Sequence, residues 1–267
     1  MCKGGREYWC ALLNCRRKIA ASVAYSFRSI FARALGLYKE NVTLFILLSS
    51  FGRRQLIDAG FPGDRMILLP NAVPVPDSYA DPSRGEYIAF AGRISDEKGV
   101  DTLLSAAGIT GLPVCLAGDY SARPDLAKAG GANVTFVGQL GRKELDNFYR
   151  KARCLVMPSR CFEMMPIVLI EAMSYGLPVI ASDIGGLPEI VDDEVTGLLF
   201  EPGNGEDLAN RIKRLWSDPD LCRRMGQAGR AKAIREYSED VYFRRLINIY
   251  NRATEIEGAK AGGVECR

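Results

Sequence analysis

Three groups of residues have the types and spacing to act on an anionic ligand rich in hydroxyl groups. The first is Gly92-Arg93-Ile94-Ser95-Asp96-Glu97-Lys98-Gly99. An arginine fork followed by a lysine point charge suits a diphosphate. A helix beginning near Lys98 would add free N–H groups and a positive dipole end. The expectation is that Arg93 and Lys98 converge on one point, although such residues in a loop are usually just solvated. The second group is Glu163 and Glu171, eight positions apart with the apolar string Met164-Met165-Pro166-Ile167-Val168-Leu169-Ile170 between them. A carboxylate on an apolar helix face needs partners, and carboxylates accept well from sugar hydroxyls. The plainer alternative is one helix-capping and one solvated glutamate. The third group is Gly185-Gly186 before Leu187-Pro188-Glu189. It either turns backbone N–H groups toward the same place or is an ordinary tight turn.

These groups need a frame, and the chain spells one out. Apolar, β-rich runs lie at 87–91, 113–117, 134–137, 154–157, 178–181 and 197–200. Helix-like segments fall between them at 98–108, 122–130, 142–152 and 165–175, with a shorter one from Leu187. Two or three polar helices follow, at 205–216, 219–235 and 239–256. Strands alternating with helices of this length predict βαβ units, a parallel sheet and helices on both faces. Ligands of such sheets bind beyond the carboxyl ends of the strands. All three chemical groups lie in loops there or open the helix that follows. Upstream, 16–36 reads as a basic helix, Asn41–Ser49 as a strand and Ser50–Ala59 as a helix closed by Gly60. Residues 71–85, with prolines at 74, 76 and 82, read as a linker.

Composition narrows the chemistry. At 267 residues, 48% apolar and 25% charged, the chain is that of an ordinary globular protein. It has no histidine, which excludes Ser-His-Asp, Cys-His and His-ligated metal chemistry within it. The eight cysteines are scattered and predict reduced thiols, with Cys115 and Cys154 buried in strands. Cys2, Cys10 and Cys15 match no common zinc spacing. No apolar run is long enough to span a bilayer and no secretory leader is evident, so the expected location is cytoplasmic. Residues 1–39 hold eight Lys or Arg against the single Glu7, a net +7, so the rest carries −4. Ile19, Val23, Phe27, Ile30 and Phe31 recur at near-helical spacing in that basic stretch. It reads either as a helix on an anionic membrane surface, at the inner face, or as a helix packed on its own domain. Nucleic acid is not expected, because no aromatic-basic interleaving accompanies the charge.

The string PSRCFEMMPIVLIEAMSYGLPVIASDIGGLPEIVDDEVTGLLFEPGN (158–204), together with FAGRISDEKGVDTLLSAA (90–107), resembles the family 4 retaining glycosyltransferases of the GT-B type. The order and spacing resemble that family from about residue 41 to 255. The resemblance implies an α/β fold: a Rossmann-like parallel sheet flanked by helices, the C-terminal half of a GT-B protein, with an incomplete N-terminal Rossmann-like portion. Residues 1–70 would be the remnant of an acceptor-side domain, 71–240 the nucleotide-sugar-binding domain, and 241–267 a C-terminal helix and tail. By the same resemblance Arg93, Lys98 and Glu163 would be catalytic, the two cations holding the donor diphosphate after Gly92. Met164, Met165 and Pro166 would lie near the sugar, Glu171 would accept from the ribose, and Gly138, Gln139 and Leu140 would border the base. The implied reaction moves a hexose from a nucleotide-sugar to a saccharide or lipid-linked acceptor with retention. It needs no metal or other cofactor, in keeping with the lack of an Asp-x-Asp pair near the site. The departures from the family, in its first domain, leave a second expectation: a module that binds nucleotide-sugar without turnover.

Overall fold

The computed structural model describes residues 6–79 and 81–262, so Cys2 lies outside the described residues. The chain forms two compact units, one of residues 1–69 and 245–267, the other of residues 70–244.

In the first unit, α1 (Tyr8–Leu12) packs on α2 (Ile19–Ala34), followed by α3 (Leu37–Asn41), β1 (Phe45–Leu47), α4 (Ser50–Asp58) and β2 (Met66–Leu68). β1 and β2 pair in parallel, Phe45 opposite Met66. The strand expected over 41–49 is therefore shorter. Helix α3 takes its first residue, and the Asn41 amide donates back to the Leu37 carbonyl at 2.9 Å. Helix α2 turns its serine face inward. Ser22 and Ser26 are buried, while Ile19 and Phe27 are each 71% exposed, with Val23, Ile30 and Phe31 also exposed. Ser26 donates to the Glu7 carbonyl at 2.9 Å and Ser22 to Asn14 Oδ1 at 3.1 Å. These bonds tie the serine face to the α1 side.

In the second unit, six strands form one parallel sheet: β3 (Tyr87–Ala91), β4 (Val114–Ala117), β5 (Val134–Gly138), β6 (Ala152–Met157), β7 (Val179–Ser182) and β8 (Gly197–Phe200), in the order β5-β4-β3-β6-β7-β8. Between them run α5 (Val100–Thr110), α6 (Pro124–Ala129), α7 (Arg142–Lys151), α8 (Ile167–Ser174) and α9 (Leu187–Ile190). Then come α10 (Gly205–Ser217), α11 (Pro219–Tyr237) and α12 (Glu239–Gly262), which continues beyond this unit. Strands β4, β6 and β7 are buried along their whole length, so they read as continuous apolar runs rather than alternating ones. Alternate residues still sort by face. Ile88, Phe90, Cys154, Val156 and Ile180 join Leu103 of α5 and Leu208 and Ile212 of α10 in one core.

A buried cation closes the far side of this unit. Arg153 of β6 is 6% exposed, and it donates to the carbonyls of Ser83, Leu215 (3.3 Å) and Trp216 (2.7 Å). Leu215 and Trp216 lie in the last turn of α10, where the free carbonyls carry partial negative charge and offset part of the buried charge, while Arg153 Nε has no hydrogen-bond partner among the described residues.

Candidate functional site

The chain leaves β3 toward β4 on one side and reaches β6 on the other, so strand order reverses between β3 and β6. At that switch the loops beyond the carboxyl ends splay apart and leave a crevice. Gly92 and Arg93 follow β3, Gly138 ends β5 with Gln139 and Leu140 after it, and Ser159 and Glu163 lie in the loop after β6. A cavity of 460 Å³ opens here, lined by Gly92, Arg93, Gln139, Leu140, Tyr149 and Glu171 among others.

Lys98 and Glu163, 65 residues apart in sequence, form an ion pair of 2.6 Å, with side chains only 20% and 13% exposed. The buried Ser159 hydroxyl donates to the same Glu163 oxygen at 2.8 Å. The Cys161 sulfur lies 3.9 Å from that oxygen. Burial, and then the Glu163 charge, push the Cys161 thiol above its ordinary pKa. Arg93 behaves differently. It pairs with Glu97 at 3.0 Å and its side chain is 71% exposed. The expected convergence of Arg93 and Lys98 on one point is therefore not the arrangement found: each cation is engaged by its own carboxylate. The helix start also moves. Asp96–Lys98 form a single 3-10 turn and α5 begins at Val100. Gly99 between them has φ of 65°, and a Cβ there would meet the Pro158 carbonyl at 1.9 Å. A side chain at 99 would push the loop after β6 off the start of α5.

The glycine-rich loop is the tight turn before α9, the plainer of the two expectations. The Gly186 N–H donates to the Glu163 carbonyl at 2.7 Å, so it is used within the fold. A Cβ on Gly186 would stand 2.3 Å from the Met164 carbonyl. The loop is thus a clamp on the backbone of Glu163 and Met164. Behind it, the Asn71 amide donates to the Met165 carbonyl at 3.2 Å, and the Asn71 N–H to the Met165 sulfur at 3.2 Å. Met165 is buried, Met164 is 40% exposed, and Pro166 stands at the N-cap of α8. Gly138 carries φ of 73° and accepts from the Gly118 N–H at 2.8 Å.

Glu171 projects from α8 into the cavity wall. Its Oε2 accepts from the Tyr149 hydroxyl at 2.9 Å, and its Oε1 accepts from no described residue. Burial, and then the Glu171 charge, raise the Tyr149 hydroxyl far above its ordinary pKa, so it stays a donor. Beside it, Asp146 accepts from Arg150 (2.9 Å) and Tyr175 (2.8 Å), and both bonds hold its carboxyl below the usual range. Five of the residues expected at the site thus share one cavity: Gly92, Arg93, Gln139, Leu140 and Glu171. Lys98 and Glu163 instead join each other across the crevice. Among the described residues no cluster of three or more Cys, Asp or Glu could hold a metal ion.

The family model for glycosyl transferases group 1 matches residues 76–232. The chain belongs to this glycosyltransferase family. It is 31% identical to the alpha-D-kanosaminyltransferase of Streptomyces kanamyceticus, over 61% of this chain and 45% of that protein. It is 35% identical to the sulfoquinovosyl transferase of Arabidopsis thaliana, over 54% of this chain and 29% of that protein. Among solved structures, sucrose-phosphate synthase from Thermosynechococcus elongatus superposes with a TM-score of 0.72 at 28% identity. It covers 82% of this chain and 60% of that one. Anabaena HepE, solved with UDP and glucose, superposes at 0.74 with 21% identity, over 84% and 67%. The fold is that of the GT-B glycosyltransferases. The chain spans about half the length of the curated relatives it matches.

Two residues beside the expected ones were not singled out as candidates from the sequence. Ser159 sits two positions after β6, where any loop residue would do, and only its bond to Glu163 sets it apart. Tyr149 follows the apolar spacing of α7 and reads as core, which it also is.

Proposed function

We propose that this group 1 glycosyltransferase chain moves a hexose from a nucleotide-diphospho-sugar to a saccharide or lipid-linked acceptor, by the retaining, metal-free route of family 4. The observation that carries the reading is the meeting of Lys98, Glu163 and Ser159 at the same sheet edge as the cavity that holds Arg93 and Glu171. In the transfer, the bond from the anomeric carbon to the phosphate oxygen breaks as the acceptor oxygen bonds to that carbon on the same face. The acceptor proton passes to the departing phosphate, so no histidine base is required. Negative charge gathers on the diphosphate while the sugar becomes oxocarbenium-like. Arg93 and Lys98 would stabilise that charge, and such a preplaced donor contributes about 3 kcal/mol at a transition state. Glu163 would face the donor sugar beside the backbone of Met164, Met165 and Pro166. Glu171 would accept from the ribose, and Gly138, Gln139 and Leu140 would border the base.

The test is calorimetric titration with UDP and with GDP, beside an Arg93→Ala/Lys98→Ala variant. One nucleotide should bind, at least tenfold more weakly to the variant. A folded chain that binds neither would overturn the donor-site reading. A second reading is a module that keeps the donor cavity. It would bind the donor without turnover, and an assay with lipid-linked and free sugar acceptors separates the two. Contact with the inner face of a membrane through α2, in a cytoplasmic protein, belongs to the same proposal. It is supported by the exposed apolar stripe in the basic segment, and among the described residues no helix is long and apolar enough to cross a membrane.

A further inference from the structure

The wall of the donor cavity holds a pair, Tyr149 and Glu171, of which the reading above uses only the carboxylate. Tyr149, the eighth residue of α7, is 1% exposed. Its ring packs against Tyr175, centroids 5.1 Å apart, and against Phe148 at 5.9 Å. Tyr175 is itself held by its bond to Asp146, and the Arg150 guanidinium lies over its face at 5.6 Å from the ring centroid. The phenol ring is thus fixed by its neighbours, and its hydroxyl meets Glu171 Oε2 at 2.9 Å. Both residues line the donor cavity, and both also line an adjoining cavity of 830 Å³. A glutamate side chain left alone between two cavities would sample several rotamers, since nothing else described holds it. One carboxylate oxygen bonded to a rigid donor and the other unmatched is the arrangement of an acceptor kept oriented for a ligand's hydroxyls.

We infer that Tyr149 is a positioning residue for nucleotide recognition: its hydroxyl holds Glu171 Oε2 so that Oε1 is presented to the vicinal hydroxyls of the donor ribose. This rests on the reading of Glu171 as the ribose acceptor. Tyr149 acts through Glu171, so its contribution exists only when both the carboxylate and the ribose hydroxyls are present. A structural role in the aromatic cluster would be indifferent to the ribose.

The experiment titrates UDP, GDP and their 2′,3′-dideoxy counterparts into the chain and into Tyr149→Phe, Glu171→Ala, the double variant and Tyr175→Phe. Phenylalanine keeps the ring and its packing, and Tyr175→Phe breaks a hydroxyl bond in the same cluster without touching Glu171. Melting temperatures confirm that each variant is folded. Tyr149→Phe should weaken the bound ribonucleotide about tenfold, as for loss of a hydrogen bond to a charged group. It should change the dideoxy form less than about twofold. The double variant should bind no more weakly than Glu171→Ala alone, and Tyr175→Phe, which keeps the packed ring, should affect both nucleotide forms equally if it affects either. Equal weakening of both nucleotide forms by Tyr149→Phe would make its role structural. A further loss in the double variant would mean that Tyr149 touches the ligand itself. No loss in Tyr149→Phe where Glu171→Ala does lose would also overturn the inference. If Glu171→Ala fails to distinguish the ribo from the dideoxy form, the ribose reading of Glu171 falls, and the role of Tyr149 falls with it.

Discussion

Lys98 and Arg93 share a loop and a charge, yet the fold uses them differently. Lys98 is mostly buried against Glu163, and Arg93 is mostly in solvent against Glu97. Removing one partner of a buried pair leaves the other charge uncompensated, whereas an exposed pair is screened and contributes little. Ser159 remains as a partner for Glu163, and the pair is not wholly enclosed, which softens the loss. Lys98→Ala should therefore lower unfolding stability by about 2 kcal/mol, and Arg93→Ala by no more than about 0.5 kcal/mol. Urea unfolding of the two variants decides this. Equal midpoints would mean that the Lys98–Glu163 pair does not hold the loops together. Both variants should bind nucleotide more weakly, so stability and affinity separate here.

At the scale of elements, the site is a set of loops pressed on one another at the carboxyl edge of the sheet. Gly186 shows how closely. Its φ is −93°, open to any residue, so the demand for glycine comes from space alone. The Met164 carbonyl would stand 2.3 Å from a Cβ there. Gly186→Ala must shift the backbone of the loop after β6 and should cost about 1–3 kcal/mol, as overpacking does. Gly108, inside α5, offers the contrast: an added Cβ meets nothing within 4 Å. Gly108→Ala should gain about 0.5–1 kcal/mol, because alanine suits a helix and loses less freedom on folding. Melting temperatures should move in opposite directions. A Gly186→Ala protein that melts with the parent would show that the clamp has slack.

For the molecule as a whole, the outstanding feature is α2, which buries serines and exposes isoleucine and phenylalanine. Phe27 and Phe31 stack on each other at 6.2 Å within that exposed stripe. Residues 1–39 carry a net +7, so a second copy docking through this face would oppose like charges. The anionic lipid surface proposed for this face would satisfy both the apolar stripe and the charge. The chain should co-sediment with phosphatidylglycerol vesicles and not with phosphatidylcholine vesicles, and added salt should release it. Phe27→Ser/Phe31→Ser should weaken binding about tenfold or more. Failure to co-sediment, with a dimer that grows with concentration in ultracentrifugation, would assign the face to a second copy instead.

Much of the second unit was legible in the amino-acid sequence, because its signals are local. Runs such as Tyr87–Ala91 and Gly197–Phe200 became strands with those bounds, and the Arg93–Lys98 loop and the two glutamates stand where strand-helix alternation puts them. The local signals failed where neighbours distant in the chain decide. Strand 41–49 shrank to Phe45–Leu47, with Asn41 drawn into α3, and α5 begins after Gly99, not at Lys98, where the left-handed Gly99 passes close to the Pro158 carbonyl. By itself the sequence determined most of the elements, the parallel sheet and a glycosyltransferase of GT-B fold, since apolar periodicity and turn residues act over a few positions. Only the tertiary structure decided that Lys98 meets Glu163 rather than Arg93's ligand point, that Gly186 clamps Glu163, that Tyr149 holds Glu171, and which face of α2 is outward. The strand order sets which loops adjoin, and that order is chosen by packing the whole sheet between its helices, so no short stretch of residues encodes it.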